Sequence, residues 1–135
     1  MRATFNVSLE QRRGFYRPGR SFTFASQCRE VTALRAEFDW LREVPVHPLQ
    51  QAVKDLQRAY ERWWDTLKVW AALPPDKRAK RPKPGPPSPR KRGLNDSMRF
   101  PDPAHFAFRR LSRRLGEVKL PKLGWVRLRW DKASF

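Results

Sequence analysis

The chain has 135 residues, with 30 Lys and Arg against 13 Asp and Glu, a net charge of +17. That length allows one ordinary domain or two small ones, and that charge points to a polyanionic partner without dictating a fold. One cysteine, Cys28, excludes an internal disulfide and a paired-cysteine metal knuckle, and neither a membrane span nor a signal-peptide core is visible, so a cytoplasmic protein with no membrane partner is expected.

Residues 6–17, NVSLEQRRGFYR, read as a short helix stopped by Pro18-Gly19. In the next stretch Ser26 is a candidate helix cap with Glu30 one turn on. Cys28, Val31, Leu34 and Phe38 fall at three-and-four spacing and form one apolar stripe. DWLREVP reads as a break, because the residue before a proline is pushed out of the helical region. The longest predicted helix runs from about Pro48 to Ala72. Pro48 suits a first turn. Leu49, Ala52, Val53, Leu56, Tyr60, Trp63, Leu67 and Trp70 give it a wide buried stripe.

The composition then changes. Seven prolines lie between Pro74 and Pro89, and eight basic residues with no acid lie between Lys77 and Arg92. Such a segment buries no core, and it is expected to be an extended, self-repelling, non-helical linker. Beyond it the period becomes two. SMRFP and HFAFRRL read as short strands, and VKLPKLGWVRLRW as a third, with Pro121 and Gly124 marking a bend and a strand start. Val126, Leu128 and Trp130 share one face; Trp125, Arg127 and Arg129 share the other. An aromatic and cationic sheet face suits nucleic acid, since rings stack on bases and arginines pair with phosphates.

The fold class expected is α+β: about three helices in a small bundle, then a few antiparallel strands. The expected divisions are 1–73 (helical), 74–96 (basic, proline-rich) and 97–135 (strands). The candidate phosphate contacts are Lys77, Arg78, Lys80, Arg81, Lys83, Arg90, Lys91 and Arg92 in the linker. Arg109, Arg110, Arg113, Arg114, Lys119, Lys122, Arg127 and Arg129 join them from the strands, with Trp125 as a further nucleic-acid contact. Trp125 serves equally as a half-buried packing residue or a stacking surface. Trp63, Trp64 and Trp70 are read as core, Cys28 as an inert core residue, His47 as a cap of the long helix and His105 as a turn residue. Asp39, Glu43, Asp55, Glu61 and Asp65 are read as mostly paired with cations at helical spacing. No nucleophile set, phosphate loop or carboxylate cluster is visible, so no catalytic residue, metal, cofactor or small-molecule substrate is expected.

NVSLEQRRGFYRPGRSFTF, LREVPVHPLQQAVKDLQRAYERWW (41–64), NDSMRFP (95–101) and VKLPKLGWVRLRW itself resemble, in that order, segments of the transposon-encoded TnpB (OrfB) family. The resemblance implies relation to RNA-guided DNA nucleases similar to compact type V CRISPR effectors. It implies a helical recognition subdomain, helix-turn-helix-like, set in a wedge-like β-barrel that is incomplete here. It also implies DNA and guide-type RNA as partners, with sequence read by base pairing. By place in the family string, Gln50 matches a glutamine aimed at the target-adjacent motif, and Phe24 completes that surface. Val46 departs from a polar contact that the family often uses. The family's RuvC nuclease half and zinc ribbon have no counterpart, and the linker is longer and more basic than usual. The expectation is therefore a non-catalytic, truncated nucleic-acid-binding remnant. The alternatives are an enzyme fragment complemented by a separate RuvC-containing chain, or a basic ribosome-associated protein.

Overall fold

A computed structural model describes residues 1–15, 19, 22–94 and 97–129. The Pro18 break, Asn95, Asp96 and Trp130 lie outside the described residues. The order is α1 (Arg2–Gly14), α2 (Phe24–Glu37), α3 (Asp39–Glu43), α4 (Val46–Ala71) and α5 (Pro75–Ala79). A 3₁₀ turn (Pro103–His105) and the strands β1 (Ala107–Arg110), β2 (Leu115–Leu120) and β3 (Gly124–Arg129) follow. The architecture is α+β, helices followed by an open, three-stranded antiparallel sheet in the order β1-β2-β3.

The long helix organises the core. Leu49, Ala52, Val53, Leu56 and Tyr60 recur every three or four residues and are all buried. They split into two clusters. Ala52, Leu56 and Tyr60 meet Phe5 and Leu9 of α1, while Leu49 and Val53 meet Val31 of α2, with Cys28, Leu41 and Val44 packed at the edge. The periodicity over-reads both ends of this pattern. Leu34 and Phe38 are each 41% exposed, so the apolar stripe of α2 is narrower than its spacing implies, and on α4 Trp64 is 46% exposed.

Local signals explain where each helix starts. α1 begins at Arg2, four residues ahead of the expected start, and ends at Gly14. Thr23, not Ser26, caps α2. Thr23 is extended, its Oγ1 accepts from Ser26 N at 3.1 Å, and Ser26 Oγ accepts from Thr23 N at 3.0 Å. Ser26 is thus the third helical residue of a reciprocal cap, and Glu30 instead accepts from Gln11 Nε2. Thr23→Ala should lower stability by about 1 kcal/mol, read from the urea midpoint. An unchanged midpoint would refute the cap.

The expected break at residues 39–45 begins with one helical turn, α3, and the chain becomes extended only at Val44. Arg35 holds it by donating to the carbonyls of Leu41 and Val44, and Arg42 donates to those of Arg35 and Ala36. Val44, before Pro45, is extended as the steric rule requires. Pro45 caps α4 and His47 is its second residue, so the capping role expected of His47 is not the observed one. Its ring lies 5.8 Å from that of His105, in the 3₁₀ turn.

VKLPKLGWVRLR is one hairpin, not one strand. β2 ends at Leu120, Leu123 N donates back to Leu120 O at 3.2 Å, and β3 starts at Gly124. Lys122 (φ 62°) and Gly124 (φ 74°) supply the left-handed backbone that the reversal needs. Residues 97–101, expected as a strand, form none, consistent with a proline that cannot donate to a ladder at Pro101. Lys122 Nζ donates to Arg42 O, tying the hairpin turn to the end of α3.

Candidate nucleic-acid interface

The proline-rich segment is docked along α4. Trp63 Nε1 donates to Pro84 O at 3.0 Å and Trp70 Nε1 donates to Arg81 O at 3.1 Å. The two indoles are seven residues apart on a helix, roughly 10 Å of rise. Their acceptors are three residues apart on an extended chain, roughly 9 Å in a polyproline conformation. The spans match when the segment runs antiparallel to α4. Trp63 and Trp70, read as core, are half-buried anchors instead, and Trp64 faces outward. The segment also contains α5, a helix where none was expected. Pro75 in its first turn and Asp76 beside the helix N-terminus favour that single turn.

Docking sorts the cations of this segment. Arg90 is a structural residue: it pairs with Asp55 at 3.0 Å, lies 4.2 Å over the Phe5 ring, and its N–H donates to Asn6 Oδ1 at 2.8 Å. Asp55 therefore pairs across to the segment and not with a helical neighbour, while Asp39–Arg42 and Asp65–Lys68 do pair at helical spacing. Arg78 donates to Leu73 O at 2.8 Å and stands 5.9 Å over the Trp70 ring. Lys77, Lys80, Arg81, Lys83, Lys91 and Arg92 are exposed. These six, not the eight expected, are the segment's open cations.

The sheet's cationic face carries an internal anion that sequence reasoning passed over. The register sets Arg109, Glu117 and Arg127 side by side across the three strands, and Lys119 beside Trp125. Glu117 is buried, 2.5 Å from Arg109 Nη2 and 3.4 Å from Arg127 Nε. Arg109 also stacks 4.4 Å over the Trp125 ring. Trp125 thus already has a cation on its face. Arg110 donates to Ser112 O at 3.1 Å, while Arg113, Arg114, Lys119 and Arg129 are exposed. Neutralising the buried carboxylate with Glu117→Gln should release both arginines. The slope of log K against log salt for duplex DNA should then steepen by roughly 1–2. An unchanged slope would show that neither arginine reaches phosphate.

On the helical side a groove of about 590 Å³ separates the start of α2 from α4. It is lined by Phe22, Phe24, Lys54, Gln57, Arg58 and Trp64, with Arg12 and Glu61 also in its wall. Phe24 is placed here, 36% exposed; Gln50, half-buried one turn ahead of Lys54, is not among the lining residues. Beneath the groove lies a polar network that the apolar pattern gave no reason to expect. Arg12, 9% exposed, donates to Gln27 Oε1 and to Gln57 Oε1, both at 2.8 Å, and Gln27 Nε2 donates to Ser8 O at 2.9 Å. Arg12 sits one turn beyond Leu9 on the face of α1 that packs against α4, and its ring contact is Tyr60 at 5.2 Å. Burial lowers its pKa, and Tyr60 and Glu61 act in the opposite sense. Burial likewise raises the pKa of the Cys28 thiol, which stays protonated.

Among the described residues no three His, Cys, Asp or Glu side chains are grouped to hold a metal ion, and no helix is long and apolar enough to cross a membrane. No family model matches the chain, and no solved structure matches it. InsQ of Escherichia coli (strain K12), which carries the name of an RNA-guided DNA endonuclease, is 37% identical over 93 residues. That match takes in 69% of this chain and 18% of InsQ, so the chain spans less than a fifth of that relative's length.

Proposed function

This chain is a relative of the TnpB-like RNA-guided DNA endonucleases, and we propose from that premise that it is a nucleic-acid-binding portion of such a protein, without catalysis of its own. Its partners are DNA and a structured, guide-type RNA. The observation that carries the reading is the docked segment. Trp63 and Trp70 hold it by backbone carbonyls, which leaves the side chains of Lys80, Arg81 and Lys83 free to face a phosphate backbone. Fixing these cations against a helix reduces the chain entropy lost when a polyanion binds. The exposed Arg113, Arg114, Lys119 and Arg129 extend the cationic surface onto the sheet.

The disposition of the acids supports the non-catalytic part. Asp39, Asp55, Asp65 and Glu117 are each engaged by Arg or Lys, and Asp102 by His105 at 3.5 Å. Such pairs set these five acids against the fold's own cations, away from the metal-ligand role that phosphodiester hydrolysis asks of a carboxylate. Binding without added transition-state stabilisation gives no rate.

The test uses the full chain with a labelled DNA duplex and a structured RNA. Both should bind, with log K falling linearly against log salt. With Mg²⁺ present, neither should be cut. Affinity independent of salt would refute the phosphate reading, and specific cleavage would refute the non-catalytic one.

A further inference from the structure

Arg12 poses a question that its role in packing leaves open. It is nine-tenths buried and charged, yet both of its side-chain acceptors are neutral amides. Among the described residues no carboxylate reaches ion-pair distance of it. Glu61 acts on it only through space, and that carboxylate accepts instead from Gln57 Nε2 at 3.0 Å. Buried charges are ordinarily paired, because desolvation is costly. Here a guanidinium held by two amides and the Tyr60 ring, with no ion pair, forms part of the wall of an open groove. Two further cations, Lys54 and Arg58, stand at the rim, and three aromatic rings, Phe22, Phe24 and Trp64, line the same space. At about 590 Å³ the groove falls within the range of small-ligand sites.

We propose that this groove binds one nucleotide unit, its base against Phe24 and Trp64 and its phosphate toward Arg12, Lys54 and Arg58. The inference rests on the nucleic-acid reading above and gives it a second, differently built site. The docked segment and the sheet offer exposed cations suited to backbone contact in any sequence. The groove joins a partly desolvated positive charge to aromatic faces, which suits an unpaired base with its phosphate. Glu61 sets the polarity: a phosphate is repelled from the Glu61 side and drawn to the Lys54 and Arg58 side. A paired base inside a duplex presents no face to stack and is excluded.

The experiment titrates the isotopically labelled full chain with adenosine monophosphate, adenosine, inorganic phosphate and a short single-stranded DNA, following amide and indole resonances. The monophosphate should shift Trp64 Nε1–H and the amides of Thr23 and Gln57. Adenosine alone and phosphate alone should each bind about ten-fold more weakly. If the single strand moves the same resonances, the nucleotide comes from a polymer; if only the monophosphate does, the site takes a free nucleotide. Trp64→Ala should weaken binding about ten-fold or more, the loss expected for one stacking partner, and Trp64→Phe should retain most of it. Lys54→Gln with Arg58→Gln should also weaken it. Trp64, Lys54 and Arg58 are exposed, so these variants keep the fold. Shifts confined to residues 77–92, or unchanged affinity in Trp64→Ala, would overturn the site. Salt-dependent duplex binding retained alongside such a failure would leave the broader reading standing.

Discussion

Leu56→Ala should lower the unfolding free energy by about 2–5 kcal/mol, a large fraction of what a domain this size possesses. Leu56 has no exposed surface and lies at the middle of α4, where Phe5 and Leu9 of α1 close over it. Truncation leaves a cavity that two rigid helices cannot collapse to fill. Urea denaturation followed by far-UV circular dichroism measures the loss. Val69→Ala, on the same helix but 66% exposed, is the control and should stay within about 0.5 kcal/mol. If the two midpoints moved equally, α1 would not be packed on α4 as described.

The second large effect concerns binding. Replacing Lys77, Lys80, Arg81 and Lys83 together with Gln should reduce the salt slope for duplex DNA by roughly 3–4, at about 0.9 for each phosphate no longer neutralised. Between 50 and 200 mM salt the parent chain should therefore lose roughly a hundred-fold more affinity than the variant. All four side chains are exposed, and the anchor at Arg81 is its main-chain carbonyl, so stability should hold. The cluster Arg90, Lys91 and Arg92 makes a poorer test, because Arg90 is bound to Asp55 and Phe5. Changing it would mix weakened binding with a loosened fold. A slope unaltered by the four substitutions would remove the docked segment from the interface.

The amino-acid sequence made some of this legible and not the rest, for identifiable reasons. The long helix was readable because Leu49, Val53, Leu56 and Tyr60 repeat with the period of the element they build, and burial follows that period. The hairpin's bend is marked by Pro121 and Gly124, but only the second half of β2, Val118–Leu120, is legible, since Gly116 and Glu117 break the alternation while being its most buried positions. The α2 cap was misplaced because Thr23 and Ser26 are both good caps, and only the backbone angles at Thr23 decide between them. The contacts of Arg90 with Asn6 and of Glu117 with two arginines link positions that no local pattern connects. Candidate cations were legible as a class. Which of them the fold consumes was not, because that depends on those same distant partners.

The indole anchors constrain how the docked segment can change over time. Each takes a main-chain oxygen as its acceptor, so the anchor is indifferent to which side chain occupies position 81, 83 or 84, provided the backbone stays extended. Charge can be gained or shed there one substitution at a time with the attachment intact. Length is another matter: a single residue inserted between Arg81 and Pro84 adds about 3 Å and throws one of the two tryptophans off its oxygen. The segment is therefore free in composition and fixed in count, a cationic surface whose strength can drift while its position on the helix cannot.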